Sequence, residues 1–344
     1  MLEKKQVQPC LENSYKFRKV LKMIPEETKI ILHDGDKKVA TRNAYGERLA
    51  ELGEINKNIV VLDCDLSKST MTAIFAKKFP DRFFNMGIAE ANMTSVAAGL
   101  ATMGKIPFIS TFGVFATKRA CDQVSTSIAY PQLNVKICAT HCGISVGEDG
   151  ATHQAIEDVA IMRAIPGITV ISPSDGTETR KVIDAVADYK GPCYVRLTRG
   201  ASPLIFNDEY NFKIGRGVKL SDGGAATLIS AGFTTHICLS AVKKLSDEGI
   251  ELDFINMASI KPLDEELILQ SASKTGLVFT VEDHNIIGGL GSAVCELLSA
   301  KQPTKVIRIG VNDKFGASGS PAELYAAYGL DEASVIKTVK ENLV

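Results

Sequence analysis

Tryptophan is absent from the 344 residues, and aromatic side chains make up only 6% of them. Charge of one sign is missing too. The 39 Lys and Arg residues nearly cancel the 40 Asp and Glu, leaving a formal net charge of −1. Such a balance gives no bulk electrostatic footprint for nucleic acid or an acidic membrane surface, so any bound anion must be held by a local site. No apolar run approaches the ~20 residues of a membrane-spanning helix. The opening MLEKKQVQPCLENSYKFRK has no apolar core of the signal-peptide kind. Among the eight cysteines no Cys-x-x-Cys occurs, and there is no P-loop pattern. These shortages predict a soluble cytoplasmic protein with reduced, mostly buried thiols. Cys138, His141 and Cys142 form one metal-like cluster, but their spacing matches no standard zinc pattern, and no metal site is expected in this chain.

What remains is ordinary globular composition, 45% apolar and 23% charged. At roughly 100–200 residues per domain, the length predicts two domains. From residue 59 onward short β-rich runs alternate with longer helical ones. Strands are expected over 59–63, 106–111, 134–140, 168–173 and 193–197, with helices from Glu90 and over about 113–129. The strands are continuously apolar, as in a parallel sheet covered on both faces. The pattern predicts an α/β, doubly wound domain over 37–205, a linker over 206–224 and a smaller α/β domain over 225–344. Residues 1–36 join neither rhythm and read as an N-terminal extension. Thr41 and Asp175 read as helix N-caps, and Gly288, Gly289 and Gly291 as a tight turn into a helix.

In open parallel sheets, ligands bind beyond the carboxyl ends of the strands. Asp63 and Asp65, Thr111 and Phe112, Thr140 and His141, and Arg199 all follow predicted strands. The stretch HCGISVGEDGATH (141–153) puts two of the five histidines, two carboxylates and three glycines in one loop. It is either a solvated polar turn or a ligand site, since the histidines and Asp149 can bond hydroxyl, carbonyl or phosphate oxygens. Glu90 opens a helix after the apolar segment MGIA. A carboxylate there is either dipole compensation or, in an apolar pocket, a group that can hold a proton near neutral pH. Phe112 and Phe115 either pack under the helix or stack a flat heterocycle. Arg42, Ser67, Ser69, His141 and Arg199 together have the donors to hold one phosphate.

Five motifs in order, VVLDCDLSKST, FFNMGIAEANM, FISTFGVFA, ATHCGISVGEDGATHQAIED and YVRLTRG, resemble the thiamine-diphosphate-dependent transketolases. The likeness covers about residues 38–344 and is to the family's pyrimidine-binding and C-terminal domains. The family's diphosphate-binding domain, with its Gly-Asp-Gly motif and downstream Asn metal ligands, has no counterpart in these residues; HDGDKK (33–38) lies too near the start. The resemblance therefore implies one subunit of a split transketolase. An N-terminal partner subunit would carry the diphosphate and Mg²⁺ (or Ca²⁺), and two of each chain would form a heterotetramer in which this chain dimerises.

The resemblance also implies roles at matching positions. Glu90 matches the glutamate that hydrogen-bonds the aminopyrimidine N1′ and so activates the cofactor. Phe112 and Phe115 match the aminopyrimidine pocket, and Asp65 a residue near the cofactor at the subunit interface. Lys118 stands where many relatives have a tyrosine. Asp149 and His153 match contacts to substrate hydroxyls, with His153 close to the chemistry. Arg42, Ser69, His141 and Arg199 match the clamp for sugar phosphates. The C-terminal domain is expected to be structural and dimer-forming. The activity implied is transfer of a two-carbon ketol unit between sugar phosphates, as in the non-oxidative pentose phosphate route. Deoxyxylulose phosphate synthase-like activity, to which RACDQV (119–124) has some likeness, is one alternative. The β subunit of a 2-oxoacid dehydrogenase is another, and a non-catalytic scaffolding or regulatory homologue a third.

Overall fold

The computed structural model describes residues 32–33 and 35–343. The extension expected over 1–36 lies almost wholly outside them. Among the described residues no helix is long and apolar enough to cross a membrane.

The chain begins with β1 (Lys38–Ala40) and α1 (Thr41–Ile55), followed by β2 (Ile59–Asp63) and two short helices, α2 (Ser67–Thr70) and α3 (Ala73–Lys78). Next come β3 (Phe83–Asn85), α4 (Glu90–Thr102), β4 (Ile106–Ser110) and β5 (Lys136–Ala139). The first series closes with α5 (Asp158–Ala164), β6 (Thr169–Ile171), α6 (Gly176–Asp188), β7 (Cys193–Arg196) and β8 (Ala201–Pro203). The second runs β9 (Val218–Asp222), β10 (Ala226–Ser230), α7 (Thr234–Asp247), β11 (Leu252–Asn256), β12 (Ser259–Lys261) and α8 (Glu265–Thr275). It ends with β13 (Leu277–Asn285), α9 (Leu290–Lys301), β14 (Lys305–Val311), α10 (Pro321–Ala327) and α11 (Glu332–Asn342).

Among the described residues two α/β sheets result, beside an antiparallel pair of β1 and β8. The first has the order β12-β6-β7-β5-β4-β2-β3, parallel except for β12; the second has the order β14-β13-β10-β11-β9, parallel except for β9. The central strands IVVLD, KICA, CYVR, ATLIS and LDFIN are buried at every position, as befits mainly apolar strands in a sheet covered on both faces. A single apolar cluster joins Val195 and Leu197 of the first unit to Phe254 and Phe279 of the second, so the two share a core.

Two expectations are corrected, on the linker and on Thr41, and one strand pairing was not foreseen. The segment 206–224 is not free linker: it ends in β9, paired antiparallel with β11, and Phe206, Tyr210 and Phe212 in it are buried. Its polar, glycine-rich sequence hides a one-sided edge strand. β12 leaves the second series to edge the first sheet against β6, a pairing that only tertiary proximity produces. Thr41 is the first helical residue rather than a cap, and its hydroxyl lies 3.1 Å from that of Thr198 while accepting the Thr198 N–H at 2.8 Å. Asp175 does cap α6, accepting the Glu178 N–H at 2.7 Å. Its second oxygen accepts the N–H groups of Ile205 and Phe206, anchoring the chain as it leaves the first sheet.

Candidate active site

In the first sheet β2 lies between β3 and β4, so successive connections leave it in opposite directions. That reversal opens a crevice at the carboxyl ends of the strands. The loops after β4 and β5 run together there: Phe112 bridges Thr140, and the Gly113 N–H donates to the Thr140 carbonyl at 2.8 Å. Position 113 admits only glycine, because a Cβ would sit 2.5 Å from Cys142 Sγ and 2.9 Å from Ala155 Cβ.

This pairing assembles an aromatic shelf. Phe112 stacks on His141 with ring centroids 3.9 Å apart and on Phe115 at 5.8 Å. His153 meets Phe115 edge-on at 5.7 Å. The helix expected over about 113–129 is irregular: π-helical stretches Phe115–Arg119 and Val124–Ala129 flank one α turn, Cys121–Gln123. Ala116, Ala120, Val124 and Ile128 are buried at every fourth position. On an ideal α-helix that row drifts by about 40° per step, and the wider π turns absorb the drift.

Glu90, only 4% exposed at the start of α4, is not in a purely apolar pocket. Arg119 Nη1 donates to its Oε1 at 2.9 Å, and the same guanidinium lies 3.9 Å above the Phe115 ring centroid. A flat cationic donor thus occupies the shelf and ends on the carboxylate. Lys118 turns to an ion pair with Glu157. Arg119 and Glu157 were missed by sequence reasoning; the only signal was the position of RACDQV just after the two phenylalanines.

The second cluster is basic. Arg42, in the first turn of α1, donates to the backbone carbonyl of Ser69 at 2.9 Å, so the Ser69 contact runs through the main chain rather than the hydroxyl. Arg42 Nε is buried without a hydrogen-bond partner among the described residues. His141 takes a left-handed backbone (φ 57°) after β5, and its Nδ1 lies 2.9 Å from Thr140 Oγ1. When Thr140 donates, Nε2 carries the proton and offers a donor. Burial first, then the charges of Arg42, Arg199 and His153, push the His141 pKa down to about 3. Burial and Arg199 likewise lower that of Arg42. Arg199 donates to the Val146 carbonyl at 2.5 Å and lies 3.7 Å from Glu148 and 3.6 Å from Asp149. Both carboxylates are well exposed, so they neutralise it weakly.

The structure therefore brings Glu90, Phe112, Phe115, His141 and His153 into one chain of ring and ion contacts. It sets Arg42 and Arg199 to act on His141, with Ser69 against Arg42 and Asp149 beside Arg199. Asp65 is exposed at the end of β2 with a left-handed backbone (φ 64°), and its hydrogen bonds run to Asn85 at the adjacent strand end.

Comparison with known proteins gives two domain matches: residues 37–203 match the pyrimidine-binding domain of transketolase, and 215–335 the transketolase C-terminal domain. The chain is 52% identical to the transketolase C-terminal section of Methanocaldococcus jannaschii over 305 residues, 88% of this chain and 96% of that protein. It is 40% identical to the 6-deoxy-6-sulfo-D-fructose transketolase subunit SqwH of Clostridium sp. MSTE9 over 300 residues, 87% and 93% of the two chains. Among solved structures, a split-gene transketolase in an inactive β4 tetramer matches with a TM-score of 0.82 and 50% identity, covering 89% of this chain and 99% of that one. The chain spans about half of single-chain transketolases, 49% of the human enzyme.

The basic cluster has a measurable consequence. With its folded pKa below the ordinary 6.5, His141 stays neutral in the fold while the unfolded chain takes up a proton. Its contribution to stability therefore declines as pH falls from about 6.5 towards 3, by up to about 1.4 kcal/mol per pH unit. Thermal melts of wild type and His141→Gln between pH 7 and 4.5 should show a shallower loss of Tm in the variant. Parallel curves would contradict the assignment.

Proposed function

The chain belongs to the transketolase family, and we propose that it serves there as the pyrimidine-side subunit of a split, thiamine-diphosphate-dependent enzyme. That enzyme moves a two-carbon ketol unit from a ketose phosphate to an aldose phosphate. The observation that carries this reading is the Arg119 guanidinium 3.9 Å over the Phe115 ring with its N–H on Glu90. A planar nitrogen-bearing group fits between Phe115 and Glu90, and an aminopyrimidine is also planar, with a ring nitrogen that can share a proton with the carboxyl group.

Glu90 would share a proton with the ring nitrogen at the pyrimidine end, donating it when the carboxyl group is protonated, while Phe112 and Phe115 hold the ring by stacking. Asp65 sits at the crevice edge, where the partner subunit would meet this one. When bound, thiamine diphosphate supplies the electron sink for cleaving and forming the carbon–carbon bond. Its diphosphate and divalent metal would be held by the N-terminal partner, in a heterotetramer built on a dimer of this chain. The near-complete coverage of a C-terminal section and of a split-gene chain supports that division of labour.

The basic cluster fits the sugar phosphate. A buried Arg42 Nε without a partner among the described residues and a neutral His141 pressed by two guanidiniums form a site short of one anion. A phosphate would accept from Arg42, His141 and Arg199, with Ser69 beside Arg42. The loop from His141 to His153 then presents Asp149 and His153 to the sugar hydroxyls. A dehydrogenase β subunit, whose acceptor is a lipoyl arm, has no need of such donors, nor has a scaffold.

In the reconstituted complex, Glu90→Ala should lower kcat by about 10²-fold or more with little change in the melting of the chain. Wild-type-like turnover would remove Glu90 from the chemistry. Arg199→Ala should raise KM for the ketose phosphate about tenfold and leave kcat within about threefold, as loss of a ground-state contact requires. An unchanged KM would sink the clamp.

A further inference from the structure

Between His141 and His153 the chain makes a long excursion, and its middle is held from the second sheet. Asp283, near the end of β13, is only 2% exposed. Its Oδ1 accepts the Ile144 N–H at 2.9 Å, and its Oδ2 accepts the Tyr325 hydroxyl, from α10, at 2.6 Å. The fit is close: Gly143 has φ 78°, and a Cβ there would lie 2.0 Å from Asp283 Oδ2. A second hold lies next to His153, where Gln154 Nε2 donates to the Ala317 carbonyl at 2.9 Å. The base of the excursion is closed within the first unit, the Gly143 N–H donating to the Ala155 carbonyl at 2.8 Å and the Cys142 N–H to Leu197 at 3.1 Å.

The backbone of Ile144 thus has no strand partner of its own at this point and takes a carboxylate from the other sheet instead. A side chain held by two buried donors, with no room to shift against Gly143, fixes where the loop sits.

We propose that Asp283 is a positioning residue for the substrate loop: by accepting the Ile144 N–H it fixes the path between His141 and Asp149, and so aligns the loop with an anionic sugar. The second domain, expected to be structural and dimer-forming, thereby takes part in substrate recognition without touching substrate. The substrate part of this inference rests on the transketolase reading; the hold on the loop does not.

Two measurements separate them. Amide hydrogen exchange of the full chain should show faster exchange in peptides covering 141–155 in Asp283→Ala, by about tenfold, with β5 and β7 unchanged. In the complex with the partner subunit, the same variant should raise KM for a ketose phosphate about tenfold with kcat within about threefold. Asp283→Asn keeps a carbonyl oxygen for Ile144 and should restore both readouts. Should Asp283→Ala fail to fold, Tyr325→Phe, which removes one of the two donors to the carboxylate, should move both readouts in the same direction by a smaller factor. Unchanged exchange at 141–155 overturns the hold itself. Faster exchange with an unchanged KM, or an Asn variant no better than Ala, overturns the positioning role. Absence of ketol transfer by the wild-type complex overturns the transketolase reading, and exchange still decides the hold.

Discussion

One buried ion pair ties the working parts together. Arg196, at the end of β7, donates to Asp158 at 2.8 Å, with both side chains almost wholly buried. Its other nitrogen reaches the carbonyls of Ala155, at the foot of the site loop, and of Asp283, on the second sheet. Tyr194 adds a hydroxyl to Asp158 at 2.7 Å. A buried pair of this kind is weak evidence for stability, since desolvation offsets much of the attraction. Its value here is geometric. A planar guanidinium with several committed donors sets one strand, the start of α5, the loop base and the second sheet relative to each other. Loss of either partner leaves an uncompensated buried charge, which costs about 3–5 kcal/mol in comparable proteins.

From that fixed frame two surfaces are presented at one crevice. One is flat, apolar and ends on a carboxylate; the other is crowded with donors and poor in acceptors. The second is electrostatically frustrated, with Arg42 and Arg199 acting on a histidine already deprived of solvent. Under the proposed function, such crowding of positive groups is what a site for an anion requires. An arriving anion would relieve repulsion among the three groups and would pair Arg42 Nε, buried without a partner among the described residues. The carboxylate surface meets its local demand differently: Arg119 covers Glu90 and Phe115 together, so the shelf is not left bare.

Strand existence was readable because the buried parallel strands are mainly apolar runs, and the site strands were readable because polar residues follow them abruptly. Phe112, His141 and Arg199 were singled out on that ground, and Glu90 for opening a helix after the apolar MGIA. What sequence hides is pairing decided by distance in space. β9 is an edge strand with one wet face, and β12 pairs with a strand from the other unit, so neither shows a full apolar run. Arg119 looks like a surface charge until π-helical turns rotate it over Phe115. Asp283 looks like the polar end of a strand, and only the approach of Gly143 gives it a function. Ser69 was chosen for its hydroxyl, yet its carbonyl makes the contact.

The central claim is that this chain supplies half of a shared site: the pyrimidine shelf and the sugar clamp, but not the diphosphate hold. Ketol transfer should be measured at a fixed concentration of this chain with saturating thiamine diphosphate and Mg²⁺, while the N-terminal partner is titrated in. The account predicts no transfer by the isolated chain and activity that rises to a plateau at one partner per chain. Turnover by the isolated chain would contradict it.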